Sequence, residues 1–97
     1  MRPVALADLE VALCAVLAQP QDQRQKTVGA LFAAAHAADL HRQTKGQPHP
    51  QFGTGTLMSA ALQRPISARP TAYGPEQAEA FIMILNELTR FLAHHDH

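Results

Sequence analysis

The sequence predicts an all-α fold, a small domain of three long helices and one short helix. Apolar residues recur at steps of three and four near both ends of the chain, which is the spacing of one helix face. Hydrophobic residues make up 46% of the chain and come mainly from Ala and Leu, with no Trp, and these two residue types favour helices over strands. A chain of 97 residues supports one core, so we expect a single domain over residues 1–97.

The first helix is predicted over about residues 5–18. Its apolar face is formed by Leu6, Leu9, Leu13 and Val16 or Leu17. The residue before Pro20 avoids the helical region, which ends the helix there. Cys14 is the only cysteine, so an internal disulfide is excluded. We interpret it as a small buried thiol, because no histidine or cation lies near it in sequence to activate it as a nucleophile.

The second helix is predicted over about residues 22–45. We expect Asp22 to cap it, with Gln25 three residues later completing a capping-box pattern. Gly46 ends it as a C-terminal glycine. The expected buried stripe comprises Val28, Leu31, Phe32, Ala35 and Ala38.

The third helix is short, over about residues 56–63, with Thr56 as its N-cap. The fourth helix is predicted over about residues 75–94, because proline is favoured at the first helical position, here Pro75. Ile82 widens its apolar surface beyond the stripe that a monomer needs, so we expect this helix to pack against a partner helix as well as the core. The predicted oligomer interface comprises Phe81, Ile84, Leu85, Leu88 and Phe91.

The charge distribution gives no overall field, because the formal net charge is zero with histidines neutral. The middle of the chain is basic and both ends are acidic. At the N-terminus Arg2 precedes an apolar stretch, but Asp8 and Glu10 interrupt it, unlike a secretory signal. No window approaches the roughly 18 apolar residues that a membrane span needs. We therefore expect a cytoplasmic protein with no membrane partner.

The loop before the third helix contains Gly53 and Gly55 in the run GTGT. Free amides at a helix N-terminus attract phosphate, so an anion site is one interpretation. The other is a tight turn before Thr56 caps the helix, which we favour because no lysine follows and no strand precedes the glycines. Basic groups flank this loop and have two interpretations, a contact with nucleic acid or an acidic partner, or a solvated basic surface, which the neutral net charge favours. The residues of the candidate contact are His41, Arg42, Lys45, His49, Arg64 and Arg69.

No metal, cofactor or catalytic site is predicted. His36 and His41 are five residues apart, about 140° around a helix, so they do not ligate one ion from the same face. The tail from His94 to His97 is open to two interpretations, a flexible metal-binding cluster or a frayed helix end. No serine has the context of a nucleophile elbow, and we expect a protein that is not an enzyme.

The run HRQTKGQPHPQFGTGTLMSAALQRP, residues 41–65, and the start MRPVALADLE resemble short helical proteins of Rhodobacter-type alphaproteobacteria. The resemblance is to the small terminase subunit of gene transfer agents, the phage-like particles that these bacteria release. It covers the first two thirds of the chain. It implies a non-enzymatic homo-oligomer that feeds DNA to the motor of the large terminase subunit, with little sequence preference.

Three functional hypotheses follow. The first is an oligomeric adaptor in DNA packaging by a phage-like particle, with contacts to DNA, the large terminase subunit or both. The second is a small regulatory or protein-interaction module, monomeric or dimeric, that does not bind DNA. The third is a small ligand-binding or catalytic domain that uses the glycine-containing loop. Subunit number and direct contact with DNA are not fixed by the sequence.

Overall fold

A computed structural model describes residues 1–95, and within them the fold is all-α, as predicted. The four helices are α1 (Leu6–Leu17), α2 (Arg24–Lys45), α3 (Leu57–Leu62) and α4 (Pro75–His95). A short 3₁₀ turn, Gln21–Gln23, precedes α2. The helices α1 and α2 each pack against both α3 and α4. Helices α1 and α2, which also contact each other, are therefore the pair against which α3 and α4 both pack.

The core is built from all four helices. In α2 the predicted stripe is confirmed, since Val28, Leu31, Phe32, Ala35 and Ala38 are all buried. The other helices contribute a longer set of buried apolar residues: Ala12, Leu13, Cys14, Ala15, Val16, Leu57, Ala60, Ala61, Ala80 and Ile84. Many of these are alanines, which let the helix backbones approach closely. Cys14 is buried and free, as expected.

The start of α2 differs from the prediction. Asp22 lies within the 3₁₀ turn, α2 begins at Arg24, and its N-cap Gln23 makes no side-chain cap hydrogen bond. The predicted cap at Asp22 is therefore wrong. Arg24 instead anchors this end: its guanidinium donates to the carbonyls of Gln19 (3.0 Å) and Leu17 (3.3 Å) and pairs with Glu76 of α4 at 2.7 Å.

Helix α1 turns most of its predicted face to the core, since Leu13 and Val16 are buried and Leu9 and Leu17 pack against the core. The exceptions are at its start. Leu6 is 68% exposed, whereas Asp8 is buried. Asp8 is tolerated inside because both its oxygens accept backbone hydrogen bonds, from Ala5 at 2.9 Å and from Met58 at 2.9 Å. The first bond holds the start of α1, and the second joins it to α3.

The α4 residues predicted to form the oligomer interface differ in how deeply they are buried. Ile84 is fully buried in the core of its own chain, so it has no surface for a partner and is removed from the interface. Phe81, Leu88 and Phe91 are half-buried against the same core. Leu85 is 38% exposed, and the sequence-based set omits two residues of α4 that are more exposed, Ile82 at 55% and Leu92 at 48%. The apolar surface of α4 is broad, as predicted. Its exposed part comprises Ile82, Leu85 and Leu92, of which only Leu85 belongs to the predicted interface.

Candidate nucleic-acid and partner surface

The loop between α2 and α3 is closed by its own hydrogen bonds. The amide of His49 donates to the Gly53 carbonyl at 2.7 Å, and the Gly53 amide donates back at 3.1 Å. Nδ1 of His49 accepts from the amides of Gln51 (3.0 Å) and Phe52 (3.1 Å). These bonds require an unprotonated Nδ1, so in neutral His49 the proton is on Nε2. The loop therefore holds the His49 ring in a fixed orientation.

The amides at the start of α3 are already occupied. The Met58 amide donates to Asp8, and the Ser59 amide donates to the Thr56 hydroxyl at 3.0 Å, so the predicted Thr56 cap is confirmed. The Ser59 hydroxyl in turn accepts from the Thr54 amide at 3.1 Å. The buried carboxylate of Asp8 accepts at this helix end, where a phosphate would otherwise bind. The anion-site interpretation of the glycine run is therefore wrong, and the run is a structural turn.

Gly55 is required by packing as well as by conformation. Its φ is +97°, and a Cβ added there would lie 2.8 Å from the Cα of Asp39 in α2. Its carbonyl accepts from the amide of Arg2 at 2.8 Å. The loop is thus pressed against α2, which positions the residues around it.

Two of the predicted contact residues are in direct contact. The rings of His41 in α2 and His49 in the loop are 5.0 Å apart in an edge-on arrangement. Phe52 stacks on the ring of His49, and the two rings are nearly parallel with their centroids 4.6 Å apart. The result is a partly exposed row of three rings across the end of α2 and the loop.

The four other predicted contact residues differ in their availability. Arg42 is held by Asp39 at 3.0 Å, and Arg69 approaches Glu10 of α1 at 4.0 Å, away from the loop. The prediction that all six groups surround the start of α3 is therefore wrong for Arg69. Within residues 1–95, Lys45 and Arg64 make no ion pair, so their charges remain available to a ligand.

A groove of about 570 Å³ lies next to the three rings. Its floor is one face of α2, made of Ala30, Ala33, Ala34 and Ala37, and Phe52 forms part of its wall. Polar groups at its edge come from Gln51, Gln63 and Arg64. We call the row of rings together with Lys45, Arg64 and this groove the α2–loop surface. It combines an apolar cleft with unpaired positive charge.

Residues 2–88 match the model of a protein family described as a domain of unknown function, DUF7742. The chain belongs to the DUF7742 family. No curated protein and no solved structure matches it. The region matched to DUF7742 contains the whole α2–loop surface and ends within α4, before Phe91.

A second polar cluster in the DUF7742 chain lies where the N-terminus meets α2. The ammonium group of Met1 lies 3.0 Å from Nδ1 of His36 and 3.3 Å from Oδ2 of Asp39. The Asp39 carboxylate also accepts from Arg42 and from Gln43, each at 3.0 Å. The sequence alone does not reveal this cluster, because Met1 and Asp39 are far apart in the chain and no pattern connects them.

The pKa values in this cluster are shifted. Burial opposes the ionisation of Asp39, but the hydrogen bonds from Arg42 and from the Met1 ammonium outweigh it, so the pKa of Asp39 lies below its usual value. For His36, burial is the largest cause that lowers the pKa, followed by the charges of the Met1 ammonium and of His95 in α4, against the opposing effect of Asp39. The folded state therefore favours a neutral imidazole beside an ionised carboxylate.

Among residues 1–95, no three His, Cys, Asp or Glu side chains are grouped so that they could hold a metal ion. The cluster from His94 to His97 extends beyond the described residues. In the same range no helix has the length and apolar character to cross a membrane.

Proposed function

We propose that this DUF7742 protein is a non-enzymatic oligomeric adaptor in DNA packaging by a phage-like particle, of the small terminase type. It contacts DNA, the large terminase subunit or both through the α2–loop surface. The observation that supports this proposal is the placement of two cations that form no ion pair among residues 1–95. Arg64 lines the groove together with Phe52, and Lys45 follows His41 by one turn of α2. Cations bind phosphates, and aromatic rings add contacts that tolerate any sequence.

The expected mode of binding is weak and independent of sequence. A zero net charge supplies no long-range attraction, so local phosphate contacts must provide the affinity. Each phosphate contact releases condensed cations and makes binding salt-dependent. Phosphate contacts carry no sequence information, which suits a packaging adaptor that accepts any DNA.

The test is the double substitution Lys45→Gln and Arg64→Gln, measured by fluorescence anisotropy on random duplex DNA across a series of salt concentrations. We expect weaker binding at low salt and a salt slope flattened by about two units at most, since two phosphate contacts are lost. Both residues are outside the buried core, so helicity and thermal stability should be retained.

The matched control is Lys26→Gln with Arg69→Gln, which removes the same charge from sites away from the loop. Lys26 is exposed near the start of α2, and Arg69 is near α1. This control should bind DNA as the wild type does. Equal loss in both double variants would show that total charge matters and the α2–loop surface does not.

The alternative function is a small protein-interaction module without DNA binding, and the apolar groove favours it. A wild-type protein that does not bind DNA at low salt would exclude the DNA contact. The packaging function then rests on the large terminase subunit, whose binding should be lost on Ala34→Glu, which places a carboxylate on the floor of the groove. Arg64→Gln should weaken that binding less, because it keeps the groove open. A wild-type protein that binds neither DNA nor the purified large terminase subunit would favour the interaction module.

A further inference from the structure

We infer that α4 pairs with α4 of a second copy of this chain, side by side and antiparallel. The contact is made by the exposed row Ala78, Ile82, Leu85, Thr89 and Leu92, which we call the α4 stripe. This inference rests on the proposed function only in that both require self-association. It does not depend on DNA binding or on the α2–loop surface.

The spacing of the α4 stripe is that of a helix-pairing seam. Its members follow one another at steps of four, three, four and three residues, the heptad pattern of two packed helices. The core side of α4, centred on Ile84, lies about 120° away around the helix at about 100° per residue. The helix thus carries two separate apolar faces, one used within the chain and one free.

The exposure of the stripe shows that the chain leaves it uncovered. Ile82 is 55% exposed, Leu92 48% and Leu85 38%. Single exposed leucines are common on protein surfaces, but an aligned apolar row along one helix marks an interaction site. Half-buried Phe81 and Leu88 border the stripe on its core side and widen it.

Charge complementarity points to a second copy in antiparallel orientation. Glu79 and Arg90 lie on the same side of the stripe, the side away from Phe81 and Leu88, near opposite ends of α4. In an antiparallel pair the same sides of the two helices meet, so Glu79 of each chain lies close to Arg90 of the other. In a parallel pair each of these charges would face the apolar border formed by Phe81 and Leu88. Parallel pairing therefore gives Glu79 no counter-charge and leaves Arg90 with only Glu87 of its own chain, 3.3 Å from the guanidinium.

The same pairing fixes the register. In this register Ile82 packs against Leu85 and Ala78 packs against Thr89 across the seam. Glu79 is then offset from Arg90 of the second copy by two residues, about 3 Å along the axis, which these long side chains span. Leu92 then meets the start of the other helix at Pro75. Both chains use the same residues in this contact, so it forms a closed dimer. Any larger assembly needs a second contact surface.

The first test is mass in solution by light scattering. The wild-type protein should have the mass of two chains or an even multiple of that mass. Leu85→Asp should lower the mass and keep normal helicity. If the α4 stripe is the sole contact between chains, the variant should have the mass of one chain. Leu62→Asp is the matched control, since Leu62 in α3 is 54% exposed but outside the stripe, and it should keep the wild-type mass. Leu92→Gln provides a milder second variant should Leu85→Asp unfold. A monomeric wild type, or unchanged mass in both stripe variants, would overturn the inference.

The second test is a charge swap. Glu79→Arg or Arg90→Glu alone should each weaken dimerisation by about two- to thirty-fold, the range for an exposed ion pair made twice. The double variant restores the opposite charges and should recover the wild-type dissociation constant. Additive losses in the double variant would exclude this register.

The third test is cross-linking in a Cys14→Ser background, which removes the native thiol. A mixture of Ala78→Cys and Thr89→Cys chains should form a disulfide across the seam, whereas either chain alone should not. Leu92→Cys should not cross-link to itself, because its two copies are about 25 Å apart in this register at 1.5 Å per residue. A Leu92→Cys disulfide without the mixed one would show parallel pairing. DNA binding measured on the same dimers keeps the two proposals separate, since a dimer that fails to bind DNA contradicts only the packaging function.

Discussion

Gly55 shows how one residue holds the loop against α2. Its φ of +97° and the 2.8 Å approach of an added Cβ to the Asp39 backbone both exclude a side chain. Gly55→Ala should lower the free energy of unfolding by about 3 kcal/mol or more, because the left-handed strain of about 1–2 kcal/mol is joined by a backbone collision. Urea denaturation measures this loss.

Gly46→Ala is the matched control for that prediction. Gly46 also has a positive φ, +71°, but an added Cβ there would have no neighbour within 4 Å. Gly46→Ala should lower the free energy of unfolding only by the left-handed backbone strain, about 1–2 kcal/mol. Equal losses in the two variants would mean that the loop moves away from α2 at little cost.

At the scale of the elements, Asp8 joins two helices that are 50 residues apart in the chain. It accepts the Ala5 amide at the start of α1 and the Met58 amide at the start of α3, both at 2.9 Å. Asp8→Ala should destabilise the fold by about 2–4 kcal/mol, since two charge-assisted hydrogen bonds are lost and two backbone donors are left without partners. Thermal melts and far-ultraviolet circular dichroism measure the effect.

Two weaker substitutions calibrate the Asp8 result. Thr56→Ala removes one cap from α3 and should cost about 1 kcal/mol. Glu10→Ala removes a neighbouring carboxylate whose partner, Arg69, is 4.0 Å away and largely exposed, so its cost should stay below about 1 kcal/mol. The order Asp8, Thr56, Glu10 is the prediction, and an Asp8→Ala loss as small as that of Glu10→Ala would contradict it.

At the scale of the whole molecule, the cluster of Met1, His36 and Asp39 makes stability depend on pH. Both side-chain pKa values are lower in the folded state, so the unfolded chain binds more protons in acid and stability falls as pH falls. The His36 contribution is lost first, below its ordinary value of 6.5. The Asp39 contribution is lost at lower pH, below its ordinary value of 3.8.

The prediction is that His36→Gln flattens the stability profile between about pH 7 and pH 5. Glutamine still offers an oxygen to the Met1 ammonium but does not take up a proton. Asp39→Asn should instead lower stability at neutral pH and remove part of the dependence at lower pH. Unfolding free energies from urea titrations test both when the series extends from about pH 7 to about pH 3, which includes the range in which Asp39 gains a proton. An unchanged slope between about pH 7 and pH 5 in His36→Gln would assign the acid sensitivity there to other groups.

The loop residues show how much of the candidate site was predictable. Thr56 was found as a cap because a threonine followed by an apolar helical run is a local signal. The occupation of the α3 amides by Asp8 was not predictable, since nothing in the sequence relates residues 8 and 58. The separation of Arg69 from Lys45 and Arg64 has the same cause, because the chain after α3 runs back along α1, where Ser67 bonds the Cys14 carbonyl.

The sequence by itself determined the all-α class, the buried stripe of α2 and its end at Gly46, because periodicity and end residues act within a few positions of the chain. It also showed that α4 carries more apolar surface than one core needs. Only the tertiary structure decided which side of α4 is covered, which basic groups are already paired, and which carboxylates are buried. Those properties depend on residues brought together from distant segments, and burial and pairing are set by the packing of helices and not by local spacing.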